Sequence, residues 1–322
     1  MSYIHITTEE RESIHVMLSQ GKSESAIASN LHRSKSTINR EIMRNSTNGS
    51  YRIFQAEKLS KERKKLCGAT NKLSNDPILT ELIHERLLEK HSPEQIKGRM
   101  EMEGLKCVSF KTIYRCIENG ILSIPKKCLR QGGKKRRKLS TDKRGQIPGR
   151  VMITDRPKEI ETRSELGHYE SDTVVGKDHQ SAVVTHVERK SRYLFVAKLK
   201  ETGSLGVLEA TKLLFRNIPK EALKTFTSDN GKEFSKFQEI SKFLEISFYF
   251  ALPHHPWERG TNENTNGLLR QYFPKGTDFN TITDQEIQDV ATKLNNRPRK
   301  VLNYKTPHEF FWADLNSQLS CT

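Results

Sequence analysis

Residues 167–176 read GHYESDTVVG, a β-rich run between two glycines that carries one aspartate, Asp172. Further β-rich runs and two helical runs follow it, in an order typical of an α/β sheet. We predict strands at 168–175, 182–187, 193–199, 225–228 and 246–250, and helices at 206–217 and 235–244. Three hairpin-like strands followed by alternating helices and strands predict an α/β domain with a mixed five-stranded sheet and helices on both faces.

Two more acidic residues follow Asp172 in motifs of their own. Asp229 lies in TSDNGKEF, residues 227–234, and Glu263 lies in WERGTNEN, residues 257–264. Phosphodiester cleavage needs an activated water or hydroxyl and stabilisation of the leaving oxygen, and two Mg²⁺ ions supply both. Mg²⁺ takes oxygen ligands such as carboxylates. We therefore predict that Asp172, Asp229 and Glu263 are catalytic and bind the metal.

Each carboxylate alone also has an ordinary explanation. An aspartate on a strand is often an edge residue, Asp-Asn-Gly is a common turn, and a glutamate near a helix start interacts with the helix dipole. The three in this order favour the catalytic interpretation. Four neighbours are candidates for a supporting role beside the ligands: Glu170, Asn230, Glu258 and Asn266. Among these, Glu258 is the second choice for the third carboxylate, and Glu233 is a further acidic neighbour.

The third carboxylate is predicted to open a helix over residues 263–272. Asn266, Gly267 and Arg270 would share the face of Glu263, because they follow it at helical spacing. Arg270 is therefore predicted to contact DNA. A helix near 284–295 follows.

The composition points to a polyanionic partner. The chain has 322 residues and a formal net charge of +16, which favours nucleic-acid binding. Its five cysteines form no Cys-x-x-Cys pair, so we expect reduced thiols and no zinc site. No signal segment or long apolar run is evident, and we expect a soluble, cytoplasmic protein.

The N-terminal residues are typical of a helix-turn-helix reader. Thr7 with Glu10 fits a capping box, and two further short helices are predicted after Gly21. The third helix would present its first residues to a DNA groove, and the predicted contacts are Ser36, Thr37, Asn39 and Arg40. A plain three-helix bundle with a solvated polar face is the alternative.

A second helical unit is predicted over residues 76–117, where SPEQ at 92–95 is a strong helix start. Lys111 could point outward there and contact DNA; a helical linker domain is the alternative. Residues 126–150 form a basic linker, with Lys134, Lys135, Arg136 and Arg137 predicted to contact phosphates. The predicted domains are therefore 1–60, 61–125, 126–150 and 151–322.

These motifs together resemble the IS30 family of insertion-sequence transposases over nearly the whole chain. The resemblance is carried by residues 27–45, by SPEQI at 92–96, by TIY at 112–114 and by 257–270. It implies a retroviral-integrase-like RNase H core with Asp172, Asp229 and Glu263 as the DDE triad and Arg270 as the basic residue seven positions on. Before Pro256, His254-His255 departs from the family pattern, and we favour a loop role for the pair.

The resemblance implies a DNA transposase that binds terminal inverted repeats and performs metal-dependent strand cleavage and strand transfer. It further implies Mg²⁺ with Mn²⁺ as a substitute, a homodimer or higher oligomer on DNA, a circular intermediate, and association with the bacterial nucleoid. Two alternatives stay open: a non-catalytic DNA-binding regulator derived from a transposase, and an RNase H-like nuclease that cuts without regard to end sequence.

Overall fold

The computed structural model describes residues 5–66, 73–125, 128–130, 147–252 and 255–320. By its internal contacts the chain divides into two compact units, residues 1–71 and 72–322. Within the described ranges, no helix has the length and apolar character needed to cross a membrane. Within the described ranges, Cys107 and Cys128 form no disulfide and Cys116 is buried, while Cys67 and Cys321 lie outside the described residues.

The first unit is a small helical bundle with a short hairpin. Its elements are α1 (Thr8–Ser19), α2 (Glu24–Asn30), α3 (Lys35–Asn45), β1 (Ser46–Thr47), β2 (Ser50–Tyr51) and α4 (Ile53–Leu66). The predicted capping box of Thr7 and Glu10 is confirmed, and Ser34 caps α3 in the same way through its side chain. The first three helices pack together through fully buried isoleucines, Ile14, Ile27 and Ile38.

The second unit begins with three helices, α5 (Pro77–Leu88), α6 (Pro93–Met102) and α7 (Phe110–Glu118). The helix start at Ser92 is confirmed, because Ser92 and Gln95 form a capping box and Pro93 occupies the first turn. One fully buried isoleucine from each helix contributes to a shared core: Ile83, Ile96 and Ile113.

Helix α6 packs against the C-terminal part of the same unit. Gln95 Nε2 donates to the carbonyl oxygen of Pro298 at 2.7 Å, and Arg99 pairs with both carboxylate oxygens of Glu309 at 2.7 Å. A Cβ added at Gly98 would lie 2.3 Å from the ring of Tyr304, so only glycine permits this approach. The α5–α7 helices are therefore part of one compact unit with the sheet, and the predicted four-domain division stays a prediction.

The sheet of the second unit contains five strands: β3 (His168–Val175), β4 (Ala182–Glu188), β5 (Leu194–Lys198), β6 (Thr225–Ser228) and β7 (Ser247–Phe250). Their order is β5-β4-β3-β6-β7. The β3–β4 and β4–β5 pairs are antiparallel, whereas β3–β6 and β6–β7 are parallel. The predicted mixed five-stranded sheet is confirmed. The bounds of β3 and β6 match the prediction, and those of the other three strands differ by one residue at one or both ends, because propensity marks strand ends poorly.

Helices cover both faces of this sheet, as predicted. They are α8 (Ser204–Phe215), α9 (Phe237–Leu244), α10 (Gly260–Leu269), α11 (Asp284–Asn295) and α12 (Pro307–Ser320). Tyr169 and Val184 point to the face covered by α8, α9 and α12, while Val174 and Val183 point to the face covered by α10 and α11. Asp172 lies two residues before Val174 and therefore faces α10.

Helix α10 begins and ends three residues earlier than predicted, at Gly260 and Leu269. The backbone N–H of Asn262 donates to Oε2 of the buried Glu170 at 2.9 Å. This contact holds the first turn of α10 against β3, a tertiary effect that periodicity alone does not reveal. Glu263 consequently lies inside the first turn, and Arg270 caps the C-terminal end.

Candidate active site

The parallel neighbours β3 and β6 bring Asp172 and Asp229 to one guanidinium group. Arg259 Nη1 lies 3.6 Å from Asp172 Oδ1, and its Nη2 lies 3.6 Å from Asp229 Oδ2. Asp229 directly follows β6, where its Oδ1 accepts a hydrogen bond from the backbone N–H of Gly231 at 3.0 Å. Two of the three predicted catalytic carboxylates therefore meet on either side of a cation.

The surroundings of Asp172 orient its carboxylate and disfavour its charge. Its Oδ1 accepts from the backbone N–H of Thr173 at 2.9 Å, and its Oδ2 accepts from Asn266 Nδ2 at 2.9 Å. Burial raises the pKa of Asp172 to about 6; Arg259 opposes this rise, and the charges of Asp229 and Glu233 add to it. The negative charge of a carboxylate held in this way is stabilised when a cation approaches. A metal ligand has the same electrostatic requirement.

Glu263 is presented differently. It lies on the exposed side of α10, next to Asn262, whose side chain points to the sheet and meets Thr185 Oγ1 at 3.3 Å. Among the residues that the structure describes, no three His, Cys, Asp or Glu side chains are grouped closely enough to hold a metal ion. The structure thus brings together Asp172 and Asp229, and leaves Glu263 on the adjacent helix without joining them.

The four supporting candidates all hold elements around these aspartates. Glu170 is fully buried and pairs with Arg189 Nε at 3.2 Å as well as with the first turn of α10. Glu258 Oε2 accepts from the backbone N–H of Leu252 at 2.8 Å.

Asn230 and Asn266 complete this set. Asn230 Nδ2 donates to the carbonyl oxygen of Ala251 at 2.7 Å and thereby ties the turn after Asp229 to the end of β7. Asn266 bonds Asp172 directly and also lies 3.1 Å from Thr185 Oγ1. Of the four, Asn266 is the one that touches a predicted catalytic carboxylate.

Two contributors to this site were missed by sequence reasoning. Arg259 stands in the WERGTNEN motif beside Glu258, yet nothing in the motif marks it as the group between two aspartates. Thr185 lies on β4 opposite Asp172, and its hydroxyl contacts the carbonyl oxygen of Asp172 at 3.3 Å. Strand pairing brings this threonine into the site, so a register prediction for β3 and β4 would have been the signal to find it.

The predicted DNA-reading residues of the first unit lie at the start of α3. Ser36, Asn39 and Arg40 are exposed and Thr37 is half-buried. Arg40 Nε donates to the carbonyl oxygen of Ser36 at 3.0 Å, and Asn39 Nδ2 donates to Glu24 at 3.0 Å. These local contacts organise a polar surface at the N-terminal end of the helix, which suits phosphate and base contacts.

The remaining predicted DNA contacts are scattered. Lys111 is exposed on α7. Arg270 is half-buried and donates to the carbonyl oxygen of Val175 at 2.7 Å, so it ties the end of α10 to the end of β3. His255 is half-buried. His254 and the linker residues Lys134, Lys135, Arg136 and Arg137 lie outside the described residues.

Comparison with known proteins matches both regions to families. Residues 2–45 match a family described as "Helix-turn-helix domain", and residues 162–256 match one described as "Integrase core domain". The chain is 42% identical over 321 residues to the transposase for insertion sequence element IS4351 of Bacteroides fragilis. This alignment covers 97% of each protein. It is 37% identical to the transposase InsI for element IS30A of Escherichia coli (strain K12), covering 95% of this chain and 82% of that protein.

Among solved structures, the catalytic core domain of BIV integrase is similar with a TM-score of 0.37 and 18% identity, over 48% of this chain and 96% of that one. A third relative, the transposase for element IS1086 of Cupriavidus metallidurans, is 36% identical and covers 95% of this chain and 93% of that protein. Since these transposases match nearly the whole chain, it belongs to the IS30 family of insertion-sequence transposases, with a helix-turn-helix domain and an RNase H-like integrase core.

Proposed function

We propose that Asp172, Asp229 and Glu263 are the metal-binding triad with which this DDE transposase cleaves DNA and transfers its strands. The observation that carries the proposal is the approach of two aspartates, from adjacent parallel strands, to the single guanidinium of Arg259. A site that already holds a cation between two carboxylates suits a hard divalent ion by charge and by donor type. We infer Mg²⁺, with two ions and with Mn²⁺ as a substitute.

When bound, such ions supply charge stabilisation for the attacking and leaving oxygens of the phosphodiester. The chain's own residues prepare the carboxylates for this. Asn266 and the backbone N–H of Thr173 each direct one oxygen of Asp172, so the carboxylate keeps a single orientation. The Asp229–Gly231 contact does the same after β6. Glu170 and Arg189 fix the first turn of α10, from which Glu263 projects.

We assign DNA binding to several parts of the chain. In this assignment Ser36, Thr37, Asn39 and Arg40 read the terminal inverted repeats of the element from helix α3. Lys111, Arg270 and the basic linker residues named above contact phosphates of the ends or the target. The functional division we propose is 1–60 and 61–125 for DNA recognition, 126–150 for the linker and 151–322 for catalysis.

Assembly on DNA is inferred from the family resemblance. We infer on that basis a homodimer or a higher oligomer on DNA, and a circular intermediate with abutted ends. We expect this assembly in the cytoplasm at the nucleoid. No observation favours the non-catalytic regulator, because the relatives compared are transposases and the two aspartates retain their approach to Arg259.

A nicking assay tests the function. The substrate is a duplex carrying the ends of the element that encodes the chain, incubated with Mg²⁺ or with EDTA. We expect nicks at the ends with Mg²⁺ only, no nicks with Asp172→Asn, and normal nicking with Asp155→Asn, an exposed aspartate outside the predicted triad. End binding without nicking would favour the regulator, and nicking of duplexes that lack the ends would favour a general nuclease.

A further inference from the structure

A second charged site lies on the other side of helix α10. It is a cavity of about 210 Å³, here called the arginine cavity, and three arginines from distant parts of the chain line it: Arg163, Arg192 and Arg299. The start of α10 completes the lining through Gly260, Thr261 and Asn264. Of the residues that the structure describes around this cavity, none is acidic. The lining of the cavity is therefore positive.

Arg299 is the most deeply buried of the three arginines. Its residue is only 7% exposed, its Nη2 donates to the carbonyl oxygen of Leu294 at 3.2 Å, and its buried Nε has no hydrogen-bond acceptor among the described residues. Burial and the nearby guanidinium groups of Arg297, Arg130 and Arg192 lower the pKa of Arg299 to about 9. A buried, partly unsatisfied cation is costly, and an anion in the cavity would offset that cost.

Arg192 and Arg163 also contribute positive charge to the cavity. Arg192 Nη1 donates to Thr261 Oγ1 at 2.6 Å, a neutral acceptor, while the carboxylates of Glu170 and Glu188 act on its charge from outside the cavity. Burial, together with the like charge of Arg163, lowers the pKa of Arg192 to about 10, although the charges of Glu170 and Glu188 oppose this fall. The side chain of Arg163 makes no hydrogen bond or ion pair within the described part of the chain, whereas its backbone N–H donates to the carbonyl oxygen of Ile160. Its guanidinium is therefore available to a ligand.

The first turn of α10 contributes Gly260 and Thr261 to the lining of the cavity. The helix has ten residues and its N-terminal cap, Arg259, makes no side-chain capping bond. One backbone N–H of this turn, that of Asn262, already donates to the buried Glu170, so the partial positive charge of the helix end is partly matched. The arginines, rather than the helix end, therefore favour an anion in the cavity.

Helical geometry also relates the cavity to the proposed catalytic carboxylate. Successive residues of an α-helix turn by about 100°. Asn266 points to Asp172 on one side of α10, and Gly260 and Asn264 line the cavity on another. Glu263 lies between these two directions on the exposed surface. A ligand in the cavity would thus be held beside the third carboxylate of the proposed triad.

We propose that the arginine cavity binds one phosphate group of the DNA backbone and so holds the substrate strand beside Glu263. The volume suits a single phosphate, because cavities that enclose larger ligands measure roughly 300 Å³ or more. Guanidinium groups match the geometry of phosphate oxygens. This inference rests on the proposed function in taking DNA as the substrate, and deepens it by adding a contact that orients the strand.

Salt-dependent DNA binding tests the proposal. The full chain and its variants are titrated with one duplex by fluorescence anisotropy in EDTA, so that no cleavage occurs and a failure of the catalytic proposal does not affect the result. For Arg163→Gln combined with Arg192→Gln we expect about tenfold weaker binding. The slope of log K against log salt should become shallower by about 0.9, as for one lost phosphate contact.

The matched control is Arg216→Gln combined with Lys242→Gln, which removes the same two positive charges from exposed positions outside the cavity. It should change the slope by much less. Arg163→Gln alone should keep or raise the melting temperature, because it removes like-charge repulsion, whereas loss of a purely structural arginine would lower it. If the double variant and the control give the same slope, the proposal is overturned.

Two further arms separate the sources of phosphate. A duplex with one neutral methylphosphonate, moved along the strand, should weaken wild-type binding at one position near the cleavage site, and the double variant should be indifferent to that position. In parallel, inorganic phosphate is titrated in a thermal-shift assay. If inorganic phosphate stabilises only the wild type while both proteins bind DNA equally well, the cavity binds a free anion. The proposed contact with a DNA phosphate is then refuted.

Discussion

Helix α10 separates two regions of opposite charge. On the sheet side, Asp172 and Asp229 approach Arg259, and burial raises the pKa of Asp172. On the other side, the arginine cavity carries positive charge with no acidic residue among its described lining. Each region would be more stable if its charge were neutralised, one by a cation and the other by a phosphate. One helix, α10, therefore contacts Asp172 through Asn266 and also lines the arginine cavity.

The largest loss of activity is expected when the third carboxylate, Glu263, is substituted. If Glu263 completes the acidic side, Glu263→Gln should reduce strand transfer by at least about a thousandfold, because loss of a metal ligand costs several kcal/mol of transition-state stabilisation. Glu258→Gln is the matched control, since its carboxylate accepts a backbone N–H from Leu252. We expect it to retain most of the activity in a strand-transfer assay with pre-cut ends. The reverse ranking would move the third carboxylate to Glu258.

A smaller loss of strand transfer is expected when the substituted side chain only orients a metal-binding carboxylate. Asn266→Ala removes the hydrogen bond to Asp172 and should lower strand transfer by roughly 10- to 100-fold. Asn217→Ala, at an exposed asparagine after α8, is the control and should have no effect. The loss should appear in the rate and leave end binding unchanged. Equal activity of the two variants would show that Asn266 does not position the carboxylate.

Much of the fold and part of the site could be predicted from the sequence. The strands, capping boxes and helices were predictable because propensity, alternation and capping are local properties. Asp172 and Asp229 were identified by motif, and parallel pairing of adjacent strands then brings them close. The predicted start of α10 lies three residues too far along the chain, because the contact of Asn262 with Glu170 is a tertiary one.

Other parts of the site could not be predicted in that way. The arginine cavity joins Arg163, Arg192 and Arg299 from three separate segments, and no local pattern relates them. Arg259 lies within a recognised motif, yet its position between two aspartates depends on how α10 packs against the sheet. Residues whose roles arise from long-range packing are those that sequence reasoning missed.

The acidic side should also affect stability with pH. The pKa of Asp172 is raised from 3.8 to about 6 in the folded chain, so the folded state holds this proton more tightly than the unfolded state does. Stability from this group is therefore lost as pH rises from about 4 to about 6. In EDTA, Asp172→Asn should be more stable than the wild type above pH 6 by about 2 kcal/mol, and similar to it at pH 4.

Urea denaturation at the two pH values measures this difference. The expected gain is smaller than the full shift implies, because the Asp172 side chain is 25% exposed and solvent screens its charge. Asp155→Asn is the control, and its stability should follow that of the wild type at both pH values. A variant that is less stable than the wild type at pH 8 would show that Asp172 stabilises the fold.

The smallest effect is expected on the basic side. Arg299→Met keeps a similar length and removes a buried cation whose Nε lacks an acceptor. It should raise the free energy of unfolding of the DNA-free chain by about 1 kcal/mol, since uncompensated buried charge is destabilising. The same variant should bind DNA more weakly. Thermal melts with and without duplex measure both changes, and a destabilised variant would mean that Arg299 is satisfied without a ligand.

The central claim is that the acidic side performs chemistry and other parts of the chain bind DNA. Asp229→Asn tests it most directly, because the substitution removes one charge from the approach to Arg259 and changes little in shape. End binding is measured by footprinting and strand transfer by product formation, on the same preparation. We expect normal protection of the ends with no strand transfer above background. Strand transfer retained by Asp229→Asn would contradict it.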